Sequence, residues 1–383
     1  MHHLRGLSTP WLVVLLIAGI FLLSCIEEES IDEPREPRIE AHFTHPDPGQ
    51  PDNTLGDVII ELLEATPDDA TVRAAFFTFS REPIAEAFGD ALERGVDVQI
   101  VLGNTSRYAG GDDWSAVALL REHLGDALTI CREGESDGGC LGENLHHNKF
   151  VTFSELSNGS RHVVLQSSGN PTNFQRTQYD NIVTVYDDQA LYDAFTDYWQ
   201  DLQSQQLDPE YNRVEEGDLD IIVYFSPFAE YDPVYEDISK IDCAKGGEVY
   251  LAMAFFTDYR ADIAQRLRLM DEQGCQIHAL LRHSDIASPG IQVMGVLGQG
   301  DIDLGYFPEE EEIQLHSKYL VYRGVHHDEE EQISVVWTGS HNYTRAALYQ
   351  NDEVLMRIVD EDLFDDFRQD WQFMRPRAET RNP

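Results

Sequence analysis

The chain has 383 residues, of which 42% are hydrophobic and 10% aromatic, so it can form a packed core and is not a disordered protein. Its 70 Asp and Glu residues outnumber 27 Lys and Arg residues, which gives a net charge of −43. This charge disfavours nucleic acid as a partner, because affinity for nucleic acid depends largely on cations that meet the phosphates, and it is equally compatible with a saline habitat.

The first residues predict export. A basic start at Arg5 precedes the apolar run from Trp11 to Leu23, which is shorter than a typical membrane span and has the length of a signal-peptide core. We therefore assign residues 1–24 to a signal peptide and residues 25–38 to an acidic tether. The Leu-Leu-Ser-Cys sequence that ends at Cys25 resembles the lipobox of bacterial lipoproteins. This resemblance predicts a lipid anchor at the cell envelope, in the outer membrane of a Gram-negative source, and a secretory signal without lipidation is the alternative.

The remaining four cysteines predict disulfide bonds, because an even number of cysteines in an exported chain is typical of them. Four cysteines allow three pairings. We favour Cys131–Cys140, which closes a glycine-rich segment, and this choice leaves Cys243–Cys275 as the second bond. Buried free thiols are the alternative.

The body of the chain repeats itself, which indicates a duplication. Residues 72–103 parallel residues 249–282, and the block from Phe77 to Gly95 aligns with the block from Phe256 to Gly274 without a gap. Each segment has the pattern of a strand, a helix and a strand, with a glycine just past the helix. Strands separated by helices predict crossover connections and a mixed or parallel sheet covered on both faces. We therefore predict a two-lobed α/β protein with pseudo-two-fold symmetry. Its parts are lobe 1 over 39–199, a polar linker over 200–217, lobe 2 over 218–376 and a tail over 377–383.

Two copies of one short pattern suggest the chemistry. Each copy has a histidine, a lysine two residues later, and a serine and an asparagine about one strand-turn-strand further on. The copies are His147, Lys149, Ser168 and Asn170, and then His316, Lys318, Ser340 and Asn342. The arrangement suits attack on a phosphodiester, with one imidazole as nucleophile, the other as proton donor, and the lysines on the phosphoryl oxygens. The pattern therefore predicts an enzyme.

This pattern resembles the phospholipase D superfamily, whose members carry two His-x-Lys-x4-Asp motifs, each followed by Gly-Ser-x-Asn. The resemblance extends over nearly all of residues 39–375. It implies two α-β-α lobes with mixed sheets that meet at one active site. It also implies a site that needs no metal or cofactor, and a site complete within one chain needs no dimer.

The chain departs from the superfamily pattern at several positions. Ser154 and Arg323 stand where each motif has its Asp, a residue that supports structure more than chemistry in the superfamily. The first copy also lacks the glycine before Ser168. Asn181 and Glu353 occupy matching places in the two copies, so we expect each to orient the imidazole of the opposite lobe. The two imidazoles are therefore expected to be unequal.

The resemblance also implies roles for the repeated residues. His147 is the expected nucleophile, which forms a phosphohistidine, and His316 is the expected acid and later base; the reverse assignment is the alternative. The groups expected to stabilise the phosphoryl oxygens are Lys149, Lys318, Asn170 and Asn342. Ser168 and Ser340 are supporting residues, and His146 is expected to be a bystander.

These observations favour a phospholipase D-type phosphodiesterase outside the cytoplasm, which hydrolyses or transfers a phosphodiester of membrane phospholipid. Two alternatives stay open. The first is an extracytoplasmic endonuclease of the same superfamily, against which the acidic surface counts. The second is a catalytically degenerate binding protein, to which the missing Asp residues point. The sequence leaves the head group open.

Overall fold

A computed structural model gives the fold and describes residues 35–104, 113–134, 138–228, 231–284, 288–327 and 329–380. The predicted signal peptide, Cys25, most of the tether and the end of the tail lie outside the described residues. The described residues from Glu36 onward fall within one structural unit. None of the described helices has both the length and the apolar character needed to cross a membrane.

The first half of the chain forms a seven-stranded mixed sheet, which we call lobe 1 together with its helices. The strands of this half are β1 (Arg38–Phe43), β2 (Thr71–Phe76), β3 (Asp97–Leu102), β4 (Leu128–Ile130), β5 (Lys149–Glu155), β6 (Arg161–Ser167), β7 (Gln178–Tyr179) and β8 (Asn181–Tyr186). The helices are α1 (Thr54–Glu64), α2 (Glu82–Arg94), α3 (Asp113–Leu124) and α4 (Gln189–Ser204). The sheet order is β1-β8-β6-β5-β2-β3-β4. Strands β2, β3 and β4 are parallel, and the other neighbours are antiparallel.

The second half forms an eight-stranded sheet, which we call lobe 2 together with its helices. The strands of this half are β9 (Arg213–Glu216), β10 (Ile221–Ser226), β11 (Gly247–Met253), β12 (Gln276–Arg282), β13 (Asp303–Phe307), β14 (Gln314–Leu315), β15 (Lys318–Val325), β16 (Gln332–Gly339) and β17 (Glu353–Val359), of which β14 lies outside the eight-stranded sheet. Its helices are α5 (Pro233–Ile238), α6 (Ala261–Glu272), α7 (Ile291–Leu297), α8 (Arg345–Tyr349) and α9 (Glu361–Met374). The order β13-β12-β11-β15-β16-β17-β10-β9 repeats that of lobe 1, with β9 added at the edge.

The predicted fold class is confirmed, because both sheets are mixed, share one strand order and carry helices on both faces. Helices α1 to α3 pack on the outer face of the first sheet, and α5 to α7 pack on the outer face of the second. Helices α4 and α9 belong to one apolar core that includes residues of both sheets. The numerical lobe boundaries stay predictions.

The crossover helices form where the apolar spacing predicts them. The apolar residues that their sequences predict as the inner face are all buried, namely Ile84, Ala87, Phe88 and Ala91 in α2 and Ile263, Ala264, Leu267 and Met270 in α6. Gly95 and Gly274 follow these helices with φ values of 110° and 107°, a left-handed conformation that favours glycine.

The strand register corrects one detail of the predicted repeat. Phe76 pairs with Lys149 in lobe 1, and Met253 pairs with Lys318 in lobe 2. Phe76 and Met253 are therefore equivalent and Phe77 matches Ala254, whereas the gap-free alignment equates Phe77 with Phe256. The reason is that the connection from β11 to α6 is two residues longer than the connection from β2 to α2.

Both predicted disulfides are present. Cys131 is bonded to Cys140, and Cys243 is bonded to Cys275. The first bond lies between the end of β4 and the approach to β5, and the second joins the segments that precede β11 and β12. The alternative of free thiols is therefore wrong.

Candidate active site

Two short parallel backbone contacts join the lobes at the site. Strand β7 of lobe 1 pairs with β14 of lobe 2, and the backbone N–H of His316 donates to the carbonyl of Tyr179 at 2.9 Å. The symmetric contact is a parallel bridge between His146 and Asp352, where the N–H of His147 donates to the carbonyl of Asp352 at 2.9 Å. Each histidine of the repeated pattern is thus fixed to the backbone of the other lobe.

His147 contacts a carboxylate of the opposite lobe. Its Nδ1 lies 2.8 Å from Oε2 of Glu353, which also accepts a hydrogen bond from the Ser340 hydroxyl at 2.6 Å. The other oxygen of Glu353 accepts from the side-chain amide of Asn351 at 2.9 Å. Because the ionised carboxylate only accepts, Nδ1 of His147 is the donor and Nε2 carries the lone pair.

His316 makes the corresponding contact with Asp180. Its Nδ1 lies 2.8 Å from Oδ1 of Asp180, which accepts from the Ser168 hydroxyl at 2.7 Å. The second oxygen of Asp180 accepts from the amide of Gln175 at 3.1 Å. The expectation that Asn181 orients this imidazole is therefore wrong, and both imidazoles have a carboxylate partner.

The correction has a simple geometric cause. The serine and its carboxylate are 12 residues apart in lobe 1 and 13 residues apart in lobe 2. An alignment with a constant offset therefore misses the true partner by one residue. Asn181 instead accepts a hydrogen bond from the backbone N–H of Lys318 at 3.1 Å and donates to the Thr338 hydroxyl at 2.6 Å. Asn181 thus positions the second motif through its backbone.

The two lysines lie beside the imidazoles with their ammonium groups almost fully buried. The Lys149 ammonium donates to the carbonyl of His147, and the Lys318 ammonium donates to the carbonyl of His316 at 2.7 Å. Lys318 also donates to the carbonyl of Ser168 at 3.0 Å, so it crosses from lobe 2 to lobe 1. These contacts fix two cations at the junction of the lobes.

The two asparagines of the pattern have spare hydrogen-bonding capacity. Asn170 and Asn342 are only 5% and 8% exposed, and neither side-chain oxygen has a partner in the described part of the chain. Buried polar groups are usually paired in folded proteins. Each of the two side-chain oxygens can therefore accept a hydrogen bond from a bound group.

Burial and charge set the protonation states of the site. Burial lowers the pKa of His147 to about 4 and that of His316 to about 3, and the neighbouring lysines reinforce both shifts. Burial also lowers the pKa of Lys318 to about 7 and that of Lys149 well below its usual value. Burial alone would raise the pKa of Glu353, but the attraction of His147 and Lys149 outweighs it and lowers the pKa to about 2. At neutral pH both imidazoles are therefore neutral.

Phe77 is a site residue to which the sequence assigned no role. Its ring centroid lies 5.0 Å from that of His147, and the Lys149 ammonium lies 5.4 Å from the same ring. The repeated Phe-Phe-Thr segment was the sequence feature that could have indicated this role. The shifted register, however, makes Ala254 the equivalent of Phe77 in lobe 2.

The residues that replace the Asp of each motif form hydrogen bonds between neighbouring strands. The Ser154 hydroxyl accepts from the backbone N–H of Thr71 at 2.8 Å, and Arg323 donates to the Ser334 hydroxyl at 3.0 Å and to Asp365 at 3.1 Å. These contacts hold β5 to β2 and β15 to β16. The substitutions therefore leave the groups at the junction of the lobes in place.

The described residues contain one cluster of possible metal ligands, formed by Cys131, Cys140, His146 and Asp352. The two sulfurs are joined in a disulfide and therefore supply no thiolate. Asp352 accepts hydrogen bonds from the backbone N–H groups of Cys140 and Leu141 at 2.6 and 3.2 Å. His146 thus lies in a structural contact behind the site.

Comparison with known proteins links this geometry to a family. Residues 238–374 match the family model described as cardiolipin synthase, PLD-like domain. A comparison of the sequence with curated proteins gives no match.

Among solved structures, phosphatidylserine synthase from Haemophilus influenzae Rd KW20 has a TM-score of 0.60 and 11% sequence identity, over 89% of this chain and 86% of that one. Polyphosphate kinase from Porphyromonas gingivalis has a TM-score of 0.55 and 15% identity over 91% of this chain. The chain spans 52% of that kinase. The phospholipase D family member Nuc from Salmonella typhimurium has a TM-score of 0.33 and 20% identity, over 44% of this chain and 96% of that one.

The family match covers the second His-x-Lys motif, and the phosphatidylserine synthase shares the fold across both lobes. The duplicated sheets bring two equivalent histidines, each with a carboxylate partner, to one junction. The second half of the chain thus resembles the PLD-like domain, and the fold of the whole chain is similar to that of the phosphatidylserine synthase.

Proposed function

We propose that the protein is a phospholipase D-type phosphodiesterase that cleaves membrane phospholipid through a phosphohistidine intermediate. One observation carries the proposal: each imidazole donates Nδ1–H to a buried carboxylate, so that both Nε2 atoms are available for chemistry. A pair of this kind supplies the two groups that the reaction needs, a neutral nucleophile and a proton carrier.

In the first step, Nε2 of His147 attacks phosphorus and a P–N bond forms. The bond from phosphorus to the head-group oxygen breaks, and His316 in its protonated form gives its Nε2 proton to the departing oxygen. An anionic phosphodiester favours that protonated form, since its charge opposes the effects of burial and of Lys318 on the pKa of His316. The products of the step are a phosphohistidine and a free head-group alcohol.

In the second step, His316 is neutral and accepts a proton from water. The resulting hydroxide attacks phosphorus as the P–N bond breaks, which releases a phosphomonoester and restores neutral His147. An alcohol in place of water would give transfer instead of hydrolysis. Glu353 stabilises the positive charge that His147 acquires on the way to the intermediate.

Lys149, Lys318 and the two asparagine amides are assigned to the phosphoryl oxygens. The ammonium groups are fixed by backbone carbonyls before substrate binds, so little reorganisation is needed as charge develops. The positive charge that the phosphoryl group requires is thus available from side chains, and we propose that activity persists in EDTA.

The choice of phospholipid depends on the predicted export and lipid anchor. An anchored enzyme has membrane phosphodiesters as its nearest substrate, whereas the net charge of −43 repels a polyanion at ordinary salt. Both arguments come from the sequence.

The test uses the soluble 26–383 form with phosphatidylcholine vesicles, and separately with plasmid DNA, both in EDTA. We expect lipid turnover and a mass-labelled phosphohistidine on the peptide that contains His147. Cleavage of DNA without lipid turnover would contradict the proposal and favour an endonuclease. Turnover of neither substrate, with tight binding of an anionic ligand, would favour a binding protein.

A further inference from the structure

Arg282, the last residue of β12, forms no ion pair within the described residues, although the chain is strongly acidic. Its Nε is buried without a hydrogen-bond acceptor, and no carboxylate forms an ion pair with it within the described residues. Its guanidinium carbon lies 5.3 Å from the ring centroid of Phe255. With 70 acidic residues against 27 basic ones, acceptors are abundant, and leaving a partly buried cation unpaired is unfavourable. This arrangement is typical of a cation that binds an anionic ligand.

The strand register places Arg282 at the same edge of the sheet as the second catalytic motif. Leu281 pairs with Met253, and Met253 pairs with Lys318, so only β11 separates the end of β12 from the start of β15. Strand β12 also contacts β14, which ends immediately before His316. Ligands bind at the carboxyl ends of parallel strands in many α/β proteins.

Electrostatics agree with this placement. The charge of Arg282 contributes to lowering the pKa of His316 and of Lys318, after the larger effect of burial. Burial lowers the pKa of Arg282 itself, which the charges of Glu309 and Asp180 oppose. The charge of the Arg282 guanidinium therefore acts on His316 and Lys318 of the second motif.

In lobe 1 the strand position equivalent to Arg282 carries no side chain. The position after Leu102 of β3, which matches Arg282, is Gly103, and a Cβ there would lie 2.6 Å from the carbonyl oxygen of Phe77. The close approach of the Phe77 backbone therefore leaves no room for a side chain. At this strand position, the described residues place a cation only on the side of His316.

We propose that Arg282 binds a second anionic group of the substrate, so that the preferred substrate is a phospholipid with an acidic head group. This inference depends on the proposed function. His316 gives its proton to the head-group oxygen, and Arg282 stands on that side of the reacting phosphorus. A guanidinium can bind a carboxylate or a phosphate through two parallel hydrogen bonds, and either group would serve.

The test compares Arg282→Gln and Arg282→Lys with the wild type on monomeric dihexanoyl lipids, which removes the effect of membrane surface charge. The substrates are phosphatidylserine, which carries a carboxylate, phosphatidylinositol 4-phosphate, which carries a second phosphate, and phosphatidylcholine. We expect Arg282→Gln to lower the ratio of kcat/KM for the better acidic lipid to kcat/KM for phosphatidylcholine about 10- to 100-fold, and Arg282→Lys to retain part of it. Arg161→Gln, at the end of β6 remote from Ser167, is the matched control and should leave the ratio unchanged.

The outcomes separate the two proposals. A preference for one acidic lipid that Arg282→Gln removes supports the inference and identifies the group. If the wild type cleaves lipids with no acidic preference, or if Arg282→Gln keeps the preference, the inference fails and the proposed function stands. A wild type that cleaves none of the lipids contradicts the proposed function and the inference together. Loss of plasmid cleavage in Arg282→Gln without a change in lipid selectivity would assign Arg282 to nucleic acid and overturn the inference.

Discussion

The two lobes build the same imidazole–carboxylate–serine chain from different residues. His147, Glu353 and Ser340 form one chain, in which the imidazole lies 2.8 Å from the carboxylate. The other chain has the same imidazole–carboxylate distance, although Asp180 replaces glutamate and the serine–carboxylate spacing is one residue shorter. A shorter side chain and a shorter loop thus reach the same geometry.

The surroundings of the two imidazoles differ far more than their partners. The ring of Phe77 borders His147, whereas the Lys318 ammonium lies 3.1 Å from Nδ1 and 3.3 Å from Nε2 of His316. The two halves of the duplication thus share the hydrogen-bond chain but differ in the side chains that surround each imidazole. The two histidines are therefore not interchangeable.

The largest expected effect comes from the histidines themselves. We expect His147→Ala and His316→Ala each to lower kcat about 10³-fold or more on a natural lipid, because each removes a reacting group. With a p-nitrophenyl phosphodiester, whose leaving group needs no proton, His316→Ala should recover most of the first step, measured as the burst of p-nitrophenol. His147→Ala should not recover. Recovery by His147→Ala alone would reverse the two roles.

Replacement of either carboxylate should lower kcat less than replacement of a histidine, and by the same factor for both carboxylates. Asp180→Asn and Glu353→Gln each keep the shape of the partner and remove its charge, and we expect kcat to fall about 10- to 100-fold for both. Asn181→Ala, which leaves the acceptor of His316 in place, should cost less than Asp180→Asn. A larger loss in Asn181→Ala would restore the assignment expected from the sequence.

The pH dependence of kcat/KM tests the charges at the site. A lysine is charged below its pKa, so activity should fall about tenfold per unit as the pH rises above about 7 and Lys318 becomes neutral. A nucleophilic imidazole is neutral above its pKa, so activity should also fall below about pH 4 as His147 becomes charged. A rate that is constant from pH 5 to pH 9 would contradict this account.

The two disulfides should differ in their effect on activity. Replacement of either pair by serine should lower the free energy of unfolding by about 2–4 kcal/mol, measured by denaturant titration. Cys131–Cys140 adjoins the loop that donates to Asp352, the residue before Glu353, so its loss should also lower kcat several-fold. Cys243–Cys275 joins strand starts remote from the site, so its loss should leave kcat of the folded protein unchanged. Equal effects on kcat would mean that the loop at Asp352 does not position Glu353.

Local patterns predicted the strands and helices well, and long-range partners poorly. The strands that begin at Lys149 and Lys318 begin where the sequence predicts them, because apolar alternation and the preceding motif mark them locally. Asp180, the partner of His316, lies 136 residues away in the chain. The constant offset between the two repeats selects its neighbour Asn181 instead. A one-residue difference in loop length cannot be read from the spacing of the motifs, yet it decides which side chain faces inward.

The sequence by itself determined the duplication, the mixed α/β class and the phospholipase D pattern, since each depends on residue types that recur along the chain, and it favoured the two disulfide pairings that the structure contains. Only the tertiary structure decided that Asp180 orients His316, that Phe77 borders His147 and that Arg282, near the second motif, has no ion-pair partner among the described residues. Those contacts depend on strand register and on connections that differ by one or two residues, and register is fixed by the packing of whole sheets.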